Sequence, residues 1–79
     1  RMMGADLTGT ILTRACLYGA KMIGADLSGA DLRDAILTSA NLSSANLSGA
    51  NLEGSNLFSA YWDDADLSGA IMPDGSTHD

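Results

Sequence analysis

The chain has 79 residues, of which 46% are hydrophobic but only 5% aromatic, and its formal net charge is −6. This length allows one domain, and its single cysteine and single histidine allow neither an internal disulfide nor a zinc cluster. No apolar run is long enough to span a membrane. The excess of acidic residues argues against direct binding to nucleic acid.

A five-residue period runs through nearly the whole chain. Residues 5–74 divide into fourteen consecutive pentapeptides, with alanine first in twelve of them and leucine third in eleven. Residues 1–4 fit the same register as a truncated repeat with Met2 at its centre, and residues 75–79 form a polar tail after Pro73. We therefore expect one repeat domain over 5–74, and the register at residue 1 suggests that the chain starts within a longer pattern.

The period excludes the ordinary secondary structures. Five residues advance about 140° beyond one helical turn, so the leucines would spiral around a helix. In an uninterrupted strand an odd period would send successive leucines to opposite faces. The pattern is consistent only if the chain turns once per repeat, with the first and third side chains pointing inward and the fourth and fifth residues in the turn.

A second period of twenty residues sets the number of sides. The segments 5–9, 25–29, 45–49 and 65–69 are nearly identical, which predicts four pentapeptides per coil and about three and a half stacked coils. Equivalent residues would then lie about 4.8 Å apart. The predicted core consists of the third-position ladders Leu7–Leu27–Leu47–Leu67, Leu12–Leu32–Leu52–Met72, Leu17–Leu37–Leu57 and Met22–Leu42–Trp62.

These repeats resemble the pentapeptide-repeat family, whose motif is A(D/N)LXX. The resemblance implies an all-β fold, a right-handed quadrilateral β-helix, and the segment 71–76 looks like the end of cyanobacterial members. The sequence departs from the motif at Trp62, where Leu or Phe is usual, and at second positions where Asp or Asn is usual: Ile11, Cys16, Lys21, Ile36, Tyr61 and Ile71.

The turn positions carry a local prediction. Gly9, Gly29, Gly49 and Gly69 share one corner, so that corner should carry type II turns, whose third residue has positive φ. The corner with Arg14, Asp34 and Asp74 should mostly carry another turn type. For the Asp and Asn side chains beside the turns we favour hydrogen bonds to nearby backbone groups over a role in surface recognition.

Nothing in the sequence indicates catalysis, a cofactor or a metal. His78 lies in the polar tail, Cys16 has no neighbouring histidine or basic cluster to activate its thiol, and the glycines form no phosphate-binding motif. Trp62 is too large for an interior filled by leucine, so we expect it where the solenoid ends, with the tail lying over the final coil.

Outward apolar residues suggest a different role. The register places Tyr18, Ile36 and Phe58 on the third side and Ile23 and Tyr61 on the next, and clustered exposed apolar residues can mark an interface. We expect a non-enzymatic structural or protein-interaction module, with a protein partner or self-association through the solenoid ends, in the cytoplasm. The alternative, implied by the family resemblance, is a DNA mimic that binds the type II topoisomerase gyrase.

Overall fold

The computed structural model describes Gly4 and residues 6–79. The described residues contain no helix, and their β-structure consists of single bridged residues separated by turns. The truncated repeat expected at residues 1–4 lies outside the described residues except for Gly4. Bridge and turn alternate every five residues from Asp6 to Ile71, as the five-residue period predicts.

The second residue of each repeat makes the bridges. Ten parallel bridges join described residues twenty positions apart, from Asp6 with Asp26 to Asn51 with Ile71. Four pentapeptide sides therefore separate bridged residues. We number the sides from the N-terminus: side one is 6–9, 25–29, 45–49 and 65–69; side two is 10–14, 30–34, 50–54 and 70–74; side three is 15–19, 35–39 and 55–59; side four is 20–24, 40–44 and 60–64.

Backbone hydrogen bonds between coils repeat on every side. In side one, the Leu27 N–H donates to the Asn46 carbonyl (2.7 Å), the Asn46 N–H donates to the Ala25 carbonyl (2.9 Å), and the Gly29 N–H donates to the Ser48 carbonyl (2.9 Å). Each interior coil thus satisfies the polar backbone groups of both neighbours, as buried backbone requires.

All corners from residue 9 to residue 69 share one turn geometry. The N–H after each corner donates to the third residue of the preceding repeat, as from Ala30 to Leu27 (3.0 Å). The fifth residue has positive φ throughout, whereas the fourth does not, which defines a type II turn. The prediction for Gly9, Gly29, Gly49 and Gly69 is confirmed, with φ of 67, 68, 68 and 70°.

The prediction of a different turn type at the corner with Arg14, Asp34 and Asp74 is wrong for Arg14 and Asp34 and holds at Asp74, which does not have positive φ. Arg14 and Asp34 both have φ of 59°, although a side chain in this region is unfavourable. The repeated inter-coil bonds fix the corner in one conformation, and the local preference of the residue does not change it. Gly54 in the same column has a second reason to lack a side chain, because a Cβ there would collide with the Asp34 carboxylate.

The core is a column of alanine and leucine between the four sides. Of the fourteen residues predicted to form it, eight are buried: Leu17, Met22, Leu27, Leu32, Leu37, Leu42, Leu47 and Leu52. Five others, at the two ends of the stack, are partly buried against this cluster: Leu7, Leu12, Leu57, Leu67 and Met72.

Trp62 is a correction to the predicted core. It lies at the third position above Leu42, but its side chain is 41% exposed. Leu42 is covered by the coil that contains Trp62, whereas no described residue occupies the next place above Trp62. Its position in the last coil, defined as residues 55–74, agrees with the expectation for a large indole, but its side chain belongs to the surface.

The C-terminal tail folds back over the last coil, as predicted. The chain reverses after Pro73, where the Gly75 N–H donates to the Met72 carbonyl (2.8 Å), and Thr77 pairs antiparallel with Ile71. The tail covers sides one and two at this end, and Ala70 beneath it is fully buried.

Candidate interaction surfaces

The Asp and Asn side chains at the second positions cap the turns. In eight repeats the side-chain oxygen accepts from the backbone N–H two residues on, at 2.9–3.2 Å, and Asp74, after the last corner, does the same with the Ser76 N–H (3.0 Å). Asn46 and Asp26, for example, hold the N–H and the hydroxyl of Ser48 and Ser28. The predicted local role is confirmed, and these side chains form part of the scaffold.

These contacts shift the pKa of several carboxyls. Hydrogen bonds from the Thr8 side chain and backbone lower the pKa of Asp6 below its ordinary value of 3.8. Ser68 does the same to the pKa of Asp66, and Ser76 to that of Asp74. The Arg33 guanidinium lowers the pKa of Asp31 through hydrogen bonds that include an ion pair of 2.8 Å.

Side three differs from the other sides because its sequence contains no charged residue. Bridges from Cys16 to Ile36 and from Ile36 to Asn56 align its three coils. Tyr18, Ile36 and Phe58 lie on it with 68%, 42% and 74% of their surface exposed. A protein with net charge −6 thus presents one uncharged side with large apolar groups.

Side four continues this apolar surface at two points. Ile23 and Tyr61 are exposed, and bridges through Asn41 align the repeats that contain them. The structure therefore places all five predicted interaction residues on two adjacent sides, each exposed to solvent.

Charge is distributed unevenly along the axis. All four lysine and arginine residues lie within residues 1–33, whereas seven of the ten acidic residues lie within 34–79. The last coil and the tail therefore carry carboxylates without basic partners. This asymmetry, which the predictions above do not include, is readable from the order of charged residues.

The remaining reactive groups are isolated from one another. Cys16 is an exposed thiol, and the His78 ring lies within hydrogen-bond distance of the Asp79 carbonyl. Within the described part of the chain, no group of His, Cys, Asp and Glu residues is placed to hold a metal ion, and no cavity is present. No helix in the described ranges has the length and apolar character needed to cross a bilayer.

A turn-capped, four-sided stack with an alanine and leucine interior defines a β-solenoid repeat protein. The family model for pentapeptide repeats matches residues 1–38 and 35–74 in eight copies. The chain belongs to the pentapeptide-repeat family. Among curated proteins, none matches the sequence.

Three solved structures are similar to the chain. A pentapeptide repeat protein from the Arabidopsis thaliana thylakoid lumen shares 36% identity with a TM-score of 0.85, over 96% of this chain and 53% of that protein. HetL from the cyanobacterium Nostoc, a protein involved in regulation of heterocyst differentiation, shares 40% identity with a TM-score of 0.69. The match covers 98% of this chain and 42% of HetL. Another Nostoc pentapeptide repeat protein shares 35% sequence identity with a TM-score of 0.60, over 87% of this chain and 61% of that protein. The chain thus spans about half the length of these structures.

Proposed function

We propose that the chain is a non-enzymatic module for structural support and protein interaction. In this proposal residues 5–74 form one right-handed quadrilateral β-helix of about three and a half coils, preceded by the truncated repeat 1–4 and followed by the tail 75–79. The twenty-residue spacing of the bridges and the family membership support it. No cofactor, nucleic acid or membrane enters the proposal.

The interaction surface proposed is the apolar area on sides three and four. The observation that carries it is the uncharged side three, where Tyr18, Ile36 and Phe58 are exposed on a strongly acidic protein. Clustered apolar groups of this kind are typical of interfaces, and aromatic residues contribute most of the energy in many of them. The rigid backbone would hold these side chains at fixed spacings for a partner protein.

Self-association through the solenoid ends is the second part of the proposal. The uneven charge favours contact between the first coil of one copy, where Arg14 and Lys21 outnumber Asp6, and the acidic last coil of another, since opposite charges steer association. Partner choice lies in outward side chains and not in the fold itself. HetL, at 40% identity, offers a precedent for a regulatory role, and the cytoplasm remains the expected compartment.

The alternative of a DNA mimic acting on gyrase has less support. Such a mimic needs continuous negative charge along its sides, and side three is uncharged. A supercoiling assay with gyrase distinguishes the two: we expect no inhibition and no protection from quinolones at micromolar protein, whereas either effect would favour the mimic.

The interaction proposal is tested by site-directed cross-linking. A photoreactive phenylalanine analogue replaces Phe58 on side three or, as the matched control, Thr8 on side one, both exposed. We expect discrete adducts of one partner, identified by mass spectrometry, from position 58 and none from position 8. Equal or absent adducts at both positions would contradict an interface on side three.

A further inference from the structure

The C-terminal tail reveals how the rim of the last coil binds an extended segment. The Met72 N–H donates to the Ser76 carbonyl (2.7 Å), the Gly69 N–H donates to the His78 carbonyl (2.9 Å), and the His78 N–H donates to the Ala70 carbonyl (2.7 Å). Three backbone groups around one corner, two donors and one acceptor, thus hold three residues of antiparallel chain.

An equivalent set of groups lies two corners earlier on the same rim. The N–H groups of Ser59 and Trp62 and the carbonyl of Ala60 correspond by register to those of Gly69, Met72 and Ala70. One coil below, Ser39 and Leu42 donate to the carbonyls of Phe58 and Tyr61 at 3.0 and 2.6 Å. Among the described residues, neither the Ser59 nor the Trp62 N–H has a hydrogen-bond partner, and the same holds for Asp64 and Leu67 at the corner between this one and the tail. The corner at 59–62 thus has the donors that could bind an added strand, and it differs from the next one by its aromatic side chains. We call residues 59–62 the open corner.

The surroundings of the open corner differ from those of the tail's corner. Three of the four aromatic residues of the chain lie within 58–62: Phe58, Tyr61 and Trp62, which are 74%, 60% and 41% exposed. Asp63 and Asp64 follow directly and are exposed, and no lysine or arginine occurs after Arg33. Aromatic faces and carboxylates together attract lysine and arginine side chains.

We propose that the open corner binds an extended, basic peptide segment of a partner protein by strand addition. The segment runs antiparallel, as residues 76–78 do, with its carbonyls accepting from Ser59 and Trp62 and one N–H donating to Ala60. Its lysine or arginine side chains contact Asp63, Asp64 and the aromatic rings. Backbone pairing supplies affinity and the side chains supply specificity, as in other strand-addition complexes. This inference rests on the proposed interaction function and identifies its ligand.

The test uses the 79-residue chain labelled with nitrogen-15 and two blocked pentapeptides. One alternates lysine with threonine, and the other carries glutamate in place of lysine. We expect the lysine peptide to shift the amide signals of Ser59 and Trp62 first and to slow their exchange with solvent. Binding of the glutamate peptide should be at least about tenfold weaker, since it places like charges beside Asp63 and Asp64.

Matched variants separate the corner's charge from the protein's net charge. Asp63→Asn with Asp64→Asn should weaken binding of the lysine peptide about fivefold, because the two carboxylates are lost. The fold should be kept, because Asn also tolerates the positive φ of position 64. Asp6→Asn with Asp26→Asn removes the same charge from side one and should leave binding unchanged. Trp62→Leu, which restores the usual residue of the repeat, should weaken binding about threefold through loss of the cation–π contact.

Three results would overturn the proposal. They are equal binding of the two peptides, amide shifts outside residues 57–64, or no shift at millimolar peptide. Shifts at Ser59 and Trp62 that depend on protein concentration without peptide would assign the corner to a second copy of the chain and also overturn it. None of these results bears on the cross-linking at position 58, so failure of this inference and failure of the proposed function are distinguishable.

Discussion

The middle and the last coil of this solenoid have the same repeat but a very different environment. Leu47, in the middle, is fully buried, and its coil is hydrogen-bonded on both sides. In the last coil, Leu57 is only partly buried and Trp62 is 41% exposed. The repeat therefore determines where a side chain points, whereas the neighbouring coil determines whether it is buried. This is the behaviour expected of a nearly one-dimensional stack.

The largest expected effect contrasts leucines from the two regions. Leu47→Ala should reduce the free energy of unfolding by about 2–5 kcal/mol, because the tightly packed stack leaves a cavity. Leu57→Ala should cost about 1 kcal/mol, because solvent already reaches that side chain. Urea unfolding of both variants measures the difference. Equal losses of stability in the two variants would contradict the contrast. A loss under about 1 kcal/mol for Leu47→Ala would mean that Leu47 is not a core residue.

Removal of residues 75–79 should have the next largest effect. The truncation breaks the four backbone hydrogen bonds of the tail and uncovers Ala70, so we expect a loss of about 1–3 kcal/mol in urea unfolding. Removal of Asp79 alone is the control and should change stability by less than about 0.5 kcal/mol. An unchanged midpoint for the longer truncation would mean that the tail does not protect this end.

A change within the stack should stabilise the protein. Ser55 stands where most repeats have alanine, and its buried hydroxyl has no hydrogen-bond partner among the described residues. Ser55→Ala should raise the free energy of unfolding by about 1 kcal/mol, because an unsatisfied buried hydroxyl is removed. Ser43→Ala, at a partly exposed fourth position, is the control, with an expected change within about 0.5 kcal/mol. A destabilised Ser55→Ala variant would show that this hydroxyl has a partner.

Acid should loosen the ends before the middle. Hydrogen bonds lower the pKa of Asp6, Asp66 and Asp74, which cap turns in the first and last coils. Their contribution is complete above the ordinary value of 3.8 and is lost as pH falls through the lowered folded pKa. The turns of residues 41–58 are capped by asparagine, which does not titrate. Asp26 and Asp31 cap turns between these and the N-terminal end, and the pKa of Asp31 is lowered as well.

Amide exchange from about pH 5 to pH 3 measures this small effect. Protection should fall first at both ends, and Asp66→Asn should reduce the change in the last coil. Simultaneous loss of protection at the middle and the ends would contradict this order.

Much of this architecture is readable from the sequence because the constraint repeats. The period of five locates the turns, and the period of twenty locates Leu27 beneath Leu47. Two features could not be predicted from the sequence because they depend on neighbouring coils. Arg14 and Asp34 adopt positive φ because inter-coil bonds fix the corner, and Trp62 is exposed because no described residue stacks on it. Association through the solenoid ends is expected from the sequence, but the corner of the last coil that the tail leaves unpaired could not be predicted, since the pairing of an N–H is not a local property of sequence.

Native-state hydrogen exchange at individual amides tests most directly whether an adjacent strand, and not the repeat itself, protects each coil. Ser39 and Leu42 are bonded to the next coil, and Gly69 and Met72 to the tail, whereas Ser59 and Trp62 occupy equivalent positions at the open corner. We predict strong protection at Ser39 and Leu42, intermediate protection at Gly69 and Met72, and exchange close to that of unstructured chain at Ser59 and Trp62. Protection of Ser59 and Trp62 equal to that of Ser39 and Leu42 in dilute protein would contradict the account.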